Sequence, residues 1–192
     1  MQLENAVEAP RTQTGETLLV RKPRKADGAR VWNLIKSIEK LDDNSMYCNL
    51  LQCSHFAGTC ALAELVGAEM DGELDGEPVG WISGYIPPES EDTLFVWQVA
   101  VHPDARGRGV AKRLVHALLK RRECRKVKRI HSTITRDNKA SWALFRAIAD
   151  DLGVPLVDDA HFERETHFDG AHATEHLVEI GPFDRVALLK AA

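Results

Sequence analysis

Apolar positions along the chain alternate between a period of two and a period near 3.6, and the changes mark its elements. Thr17-Leu-Leu-Val-Arg21 is a short run of strand formers, ended by Pro23. Val31, Leu34, Ile35 and Ile38 then fall on one face of a helix that the pattern predicts from Asp27, as N-cap, to about Lys40. The acidic stretch Leu41–Ser45 reads as a connector, and the apolar spacing from Met46 to Phe56 suits a second helix. Strands are predicted over Ala61–Met70 and Pro78–Ile86, around an acidic, glycine-bearing hairpin turn at Asp71–Glu77. Thr93–Val101 is the strongest strand: it is apolar on both faces except for Gln98, which predicts a central place in a sheet.

Beyond Pro103 the helical period returns. Arg106-Gly-Arg-Gly-Val-Ala111 opens a helix to about Arg122, with Val110, Leu114, Val115, Leu118 and Leu119 toward the core. Arg129–Thr135 is a strand. Asp137 or Asn138 caps a helix through Asp150 that turns Trp142, Phe145 and Ile148 inward, and Gly153 and Pro155 close it. The last strands are expected near Val154–Val157 and Glu175–Ile180, separated by an acidic, histidine-rich loop over residues 158–174. This order predicts one domain of the α/β or α+β class around a mixed sheet. Residues 1–16 read as a flexible N-terminal tail, 17–181 as the domain and 182–192 as a C-terminal tail.

Composition changes this picture little. At 192 residues, 44% hydrophobic and 28% charged, the chain is neither disordered nor fibrous. No apolar run approaches the roughly 20 residues that span a bilayer. The first sixteen residues lack the apolar segment of a secretory signal, so a cytoplasmic chain is expected. Cys48, Cys53, Cys60 and Cys124 match neither a redox pair nor a zinc framework and read as reduced, small apolar side chains, with a nucleophilic role the weaker alternative.

Charge changes the picture more. The net charge of −4 conceals a segment, residues 106–129, with eleven Lys or Arg and a single acid, while the other 168 residues carry 14 bases and 28 acids. A cationic segment in an acidic chain predicts a polyanion site there and cationic substrates elsewhere; the alternative is a solvated helix face. The segment has no interleaved aromatics and no helix-turn-helix partner, so nucleic acid is not the expected partner.

The same segment opens with a turn suited to anions. Gly107 and Gly109 follow the central strand and precede a helix, so backbone N–H groups can face outward beside a positive helix N-terminus, with Arg106 and Arg108 adding charge. A pyrophosphate fits such a turn. It is not a P-loop, which needs G-x-x-x-x-G-K-[ST], nor a dinucleotide fingerprint, which needs G-x-G-x-x-G. Arg106-x-x-Gly109-x-Ala111, preceded by Val99, Val101 and Pro103, resembles the acetyl-CoA signature of the GCN5-related N-acetyltransferases. Asn138-x-x-Ser141-x-x-Leu144-Phe145 is similar to that superfamily's next block.

The resemblance implies a single-domain N-acetyltransferase fold, with a mixed, mostly antiparallel sheet flanked by helices, and acetyl-CoA as cosubstrate. It implies that the backbone at Val99 and Val101 holds the pantetheine arm, that the N–H near Val99 polarises the thioester carbonyl, and that Arg106, Gly107, Arg108, Gly109, Val110 and Ala111 hold the pyrophosphate. Asn138 and Ser141 would lie along the donor's far arm. Phe145 stands where many members carry the tyrosine thought to protonate the leaving thiolate, so that acid is missing or comes from elsewhere.

Outside these blocks the chain resembles the diaminobutyrate acetyltransferases of ectoine biosynthesis, an osmoadaptation pathway. The features are Leu41-Asp-Asp-Asn-Ser-Met-Tyr-Cys48, Gly80-Trp-Ile-Ser-Gly-Tyr85, Phe95-Val-Trp-Gln-Val-Ala-Val101 and Glu175-His-Leu-Val-Glu179. The implied reaction moves the acetyl group of acetyl-CoA to the γ-amine of L-2,4-diaminobutyrate by direct attack in a ternary complex. A diamino acid needs acids for its ammonium groups, and Asp42, Glu175 and Glu179 are candidates. The proton relay is assigned to Glu175 and His176, the α-ammonium to Asp42 or Glu179, and the pocket walls to Tyr47 and Trp97. Alternatives stay open at single residues: Asp42 as a cap for the helix near Ser45, Trp97 as core. In a strand, Glu175, Leu177 and Glu179 share a face that His176 does not, so without a bulge the three polar groups cannot enter one pocket.

His161, His167, His172 and His176 lie near Glu163, Glu165, Asp169 and Glu175, but their spacing follows no metal-ligand pattern, and no metal is expected. The histidine-rich loop reads as solvated or as a lid on the acceptor site. A homodimer is inherited from the resemblance, with Trp32, Trp81 or Tyr85 at the contact. Rival readings are acetylation of a polyamine, an aminoglycoside or protein N-termini, and a fold that only senses acetyl-CoA.

Overall fold

Four strands have the bounds that the pattern predicts: β1 (Thr17–Arg21), β4 (Thr93–Val101), β5 (Arg129–Thr135) and β7 (Glu175–Ile180). The computed structural model describes residues 16–39, 41, 44–67 and 76–184. Its other strands are β2 (Ala61–Val66), β3 (Glu77–Tyr85) and β6 (Leu156–Phe162). The helices are α1 (Gly28–Lys36), α2 (Met46–Ser54), α3 (Val110–Leu119), α4 (Lys139–Leu152) and the short α5 (Arg164–Phe168). Strand order is β1-β2-β3-β4-β5-β7-β6. β1–β2, β2–β3, β5–β7 and β6–β7 pair antiparallel and β4–β5 parallel, the mixed, mostly antiparallel sheet expected. Both terminal tails fall largely outside the described residues, as do most of the 71–77 turn and the end of the predicted 61–70 strand.

The chain forms two compact units. The first contains the described residues up to Gly84 together with Gln98–Arg121. Its core gathers Val31, Leu34, Ile35 and Ile38 with Cys53, Cys60, Leu62, Trp81 and Ala100. Trp81 is 0% exposed, which removes it from any dimer contact: a tryptophan on an inner strand is held by the core.

Asp27 does not cap α1 with its side chain. It is buried, accepts the Arg24 N–H at 2.6 Å and takes both terminal nitrogens of Arg21 at 2.7 and 2.8 Å. The same guanidinium donates to buried Glu64 at 2.6 and 2.8 Å, and Arg30 lies 3.1 Å from Asp27 and 2.9 Å from Glu64. Two buried carboxylates are tolerated because two guanidinium groups serve them. Glu64 sits where the β2–β3 register shifts, so the network pins an irregular rung. α1 ends at Lys36, short of the predicted Lys40, with Ser37 as C-cap; Ile38 stays buried beyond it. Ser45 caps α2, accepting the Cys48 N–H at 3.1 Å, so this helix draws its cap from Ser45 and not from Asp42.

The second unit contains Tyr85–Trp97 and the described residues from Arg122. Ile130, Ser132 and Ile134 are buried on one face of β5, and Val178 and Ile180 on the same face of β7. Trp142, Phe145, Ile148, Ala149 and Leu152 form the buried side of α4. Asn138 caps α4 by accepting the Ser141 N–H at 3.1 Å, and Gly153 ends it at φ +64°. β6 corrects the predicted Val154–Val157 strand and takes the first five residues, 158–162, of the predicted loop. It is the edge strand, exposed over nearly all its length, and so carries no apolar rhythm to read.

Candidate active site

In the first unit the donor turn is built by close packing. His102 donates its backbone N–H to the Val79 carbonyl at 2.9 Å, and a 3-10 turn, Pro103–Ala105, follows β4. Gly107 and Gly109 then adopt φ of +74° and +71°, a region costly for residues with a Cβ. A Cβ at either position would meet nothing within 4 Å, so the space in front of the turn is open. Gly109 is the N-cap of α3 and offers no side-chain acceptor, which leaves the first-turn N–H groups at Val110 and Ala111 to face an external anion. This fits a pyrophosphate. Val99 and Val101 on β4 are half-buried, and Arg106 Nε donates to the Val101 carbonyl at 3.4 Å. Tyr47, on the first turn of α2, is 69% exposed; Asp42 lies outside the described residues.

The cationic segment divides by use. Arg121 donates to the carbonyls of Ala57, Gly58 and Cys60, binding α3 to the turn before β2. Lys126 pairs with Glu91 and Arg129 with Asp92. Those positions are structural, whereas Arg106, Arg108, Lys112 and Arg113 surround the donor turn.

In the second unit, cross-strand rungs decide which polar groups meet. β7 is paired with β5 without a register shift, and Glu175, Leu177 and Glu179 stand opposite Thr135, Thr133 and His131 on one face. His176, opposite Ile134, is on the other face, where its Nδ1 lies 3.7 Å from Asp158, which also binds Arg136 at 2.6 Å. The relay of Glu175 and His176 is therefore corrected: a regular strand sends their side chains to opposite faces. The imidazole beside Glu175 is His172, its Nε2 4.0 Å from Glu175 Oε1. His172 falls in the predicted histidine-rich loop, and its approach to Glu175 depends on how that loop folds, which the spacing does not encode.

Glu179 Oε2 lies 3.0 Å from His131 Nε2, within ion-pair distance but without hydrogen-bond geometry. Burial lowers the His131 pKa, against the opposing pull of Glu179. Trp97 is 52% exposed on β4, a surface residue and not core. Phe145 is 2% exposed and has no proton to give. Burial pushes the Cys53 and Cys60 thiols up to about 12, so neither supplies a thiolate at neutral pH. Among the described residues no group of three or more His, Cys, Asp or Glu is arranged to hold a metal ion.

The strand–turn–helix with two left-handed glycines, on a mixed sheet with a central β4, is the arrangement that the resemblance to the N-acetyltransferases implies. The model of the acetyltransferase (GNAT) family matches residues 36–149, and the chain belongs to that family. It is similar to the L-2,4-diaminobutyric acid acetyltransferase of Methylotuvimicrobium alcaliphilum, 48% identical over 159 residues that cover 83% of this chain and 87% of the relative. The enzyme of the same name from Halomonas elongata is 43% identical over 166 residues, 86% of this chain and 82% of its own. Among solved structures, diaminobutyrate acetyltransferase EctA from Paenibacillus lautus, in complex with its substrate L-2,4-diaminobutyric acid and coenzyme A, superposes with a TM-score of 0.78 at 37% identity, covering 88% of this chain and 98% of that one.

Proposed function

We propose that the chain transfers the acetyl group of acetyl-CoA to the γ-amine of L-2,4-diaminobutyrate, giving N4-acetyl-L-2,4-diaminobutyrate for ectoine biosynthesis. The observation that carries this reading is the similarity, over nearly the whole relative, to an enzyme solved with that diamino acid and coenzyme A. The open donor turn at Gly107–Ala111 and the exposed Trp97 and Tyr47 support it.

The γ-ammonium resembles that of lysine, with a reference pKa of ~10.4, and arrives protonated. Glu175, seconded by His172, takes that proton directly or through one water. The freed lone pair attacks the thioester carbon while the N–H near Val99 steadies the oxyanion. That attack forms the C–N bond; collapse re-forms the carbonyl, breaks the C–S bond and releases coenzyme A, whose thiolate takes the proton that the attacking nitrogen loses, directly or through one water. Phe145 gives none. The pantetheine arm runs along Val99 and Val101, and Asn138 and Ser141 hold the start of α4 beside the far arm. The pyrophosphate rests on the N–H groups of Gly107 to Ala111; the Arg106 N–H, expected to join them, is taken by the Pro103 carbonyl at 3.1 Å. Asp42 or Glu179 supplies charge for the α-ammonium, with Glu179 steadied by His131. Tyr47 and Trp97 exclude water, and catalysis is mostly positioning in a ternary complex.

The reading includes a cytoplasmic homodimer that serves osmoadaptation, with the half-buried Trp32 and Tyr85 at its contact; light scattering tests the pairing. Mass spectrometry of the product, with fragmentation to locate the acetyl group, tests the function. Acetylation at the γ-nitrogen, with spermidine and lysine poor substitutes, is the expected result; acetylation at the α-nitrogen, or none, would overturn it.

A further inference from the structure

The donor turn carries more positive charge than its neighbours use. Arg121, Lys126 and Arg129 are committed to carbonyls and acids, and Arg106 reaches back to the Val101 carbonyl. The side chains of Arg108 and Arg113, by contrast, meet no hydrogen-bonding or charged partner among the described residues. Arg108 is exposed and lies between the two left-handed glycines. Arg113 is half-buried, one turn into α3, and its backbone N–H bonds the Gly109 carbonyl at 3.1 Å. The helical rise sets residue 113 about 6 Å along the axis from residue 109. Helical Cα–Cβ bonds tilt toward the N-terminus, so a long side chain at 113 leans back over the turn.

A pyrophosphate does not need these two groups, since the N–H groups and dipole of the α3 N-terminus already match its charge. We infer that Arg113, together with Arg108, recognises the phosphomonoester on the 3′ oxygen of the donor's ribose and makes the enzyme selective for coenzyme A over its dephospho form. The inference rests on the acetyl-CoA reading above. One ribose joins both phosphate groups: its 5′ oxygen bears the pyrophosphate and its 3′ oxygen the monoester. A donor seated on the turn therefore brings the monoester to its rim. A phosphomonoester carries about −1.5 to −2 at pH 7, and a guanidinium fork matches its oxygens better than an ammonium does.

The test is steady-state kinetics with acetyl-CoA and 3′-dephospho-acetyl-CoA at saturating diaminobutyrate. The dephospho donor should show a KM about tenfold higher with a similar kcat, the size of one charge-assisted contact. Arg113→Ala and Arg108→Ala should each shrink that ratio toward one, and Arg113→Lys should restore part of it. Calorimetric binding of coenzyme A and dephospho-coenzyme A, with a melting curve for each variant, reads the same ratio without turnover. Equal KM values for the two donors in the parent enzyme would overturn the inference. So would an Arg113→Ala variant that raises both KM values by the same factor, which would assign Arg113 to the pyrophosphate. Either result leaves acetyl transfer intact, whereas no transfer from either donor and no binding of either nucleotide removes the acetyl-CoA reading and this inference with it.

Discussion

Gly80 on β3 and Val110 at the start of α3 are so close that a Cβ on residue 80 would stand 2.6 Å from Val110 Cγ1. It would also meet Ala63 Cβ at 3.1 Å and Leu114 Cδ1 at 3.2 Å. Valine in a helix has one favoured rotamer, so Val110 cannot swing aside. Gly80→Ala is expected to cost about 1–3 kcal/mol and to lift the first turn of α3. The melting temperature should fall and the KM for acetyl-CoA should rise, and adding Val110→Ala should recover both. A single variant that melts like the parent would mean that this contact does not set the turn.

Gly107 and Gly109 report on conformation rather than space. Nothing crowds either position, so the penalty of Gly109→Val is the positive φ, about 1–2 kcal/mol. Gly109→Asn should be milder, since Asn tolerates this region. Calorimetry should rank coenzyme A binding as parent, then Asn, then Val; equal affinities for all three would show that the N–H groups here do not hold the donor.

Glu175 and His176 should separate cleanly. Glu175→Gln is expected to lower kcat by about 10²-fold or more, as loss of a general base does. His176→Asn, on the face turned to Asp158, should leave kcat within about twofold and act on stability. A large loss of kcat in His176→Asn would restore the relay that the strand geometry breaks.

Asp27 links stability to pH. Burial pushes its carboxyl up, but hydrogen bonds from Arg21 and the Arg24 N–H outweigh it and hold the group at about 2, below the ordinary 3.8. A depressed carboxyl stabilises the fold above its unfolded pKa, and that contribution is lost as pH falls through the folded one. About 2 kcal/mol should therefore disappear between pH 4 and pH 2. Asp27→Asn should lose most of this pH dependence in urea titrations, while being less stable than the parent at neutral pH because it strands buried guanidinium charge.

Thiol titration gives a further check. Cys53 and Cys60, raised to about 12, should resist a disulfide reagent at pH 8 until the chain is unfolded, with Cys48 the more accessible site. Rapid modification of Cys53 or Cys60 in the folded enzyme would contradict their burial.

The buried strands and helix faces were legible because the signals that define them are local. Thr93–Val101 is apolar on both faces except for Gln98, α3 repeats its core positions at 3.6, and Asn138 and Gly153 mark the ends of α4 by their own chemistry. β6 was not legible: an edge strand that packs little need not alternate. Pairs that join distant rungs, such as His131 with Glu179 or Arg21 with Glu64, depend on register, which no single segment encodes. The same limit put His176 beside Glu175 in sequence while the pleat drew them apart. Trp97 and Tyr47 remain exposed in spite of their size, so a motif found them and hydrophobicity would have misassigned them to the core.

The Arg21, Asp27, Glu64 and Arg30 cluster has a further consequence at high ionic strength. At 1 M ionic strength the screening length shrinks to about 3 Å, and an exposed pair such as Lys126 with Glu91 loses most of its worth. Mobile ions cannot enter among carboxylates that solvent does not touch. The tether between β1, β2 and the start of α1 should then persist under brine that strips the surface of its attractions.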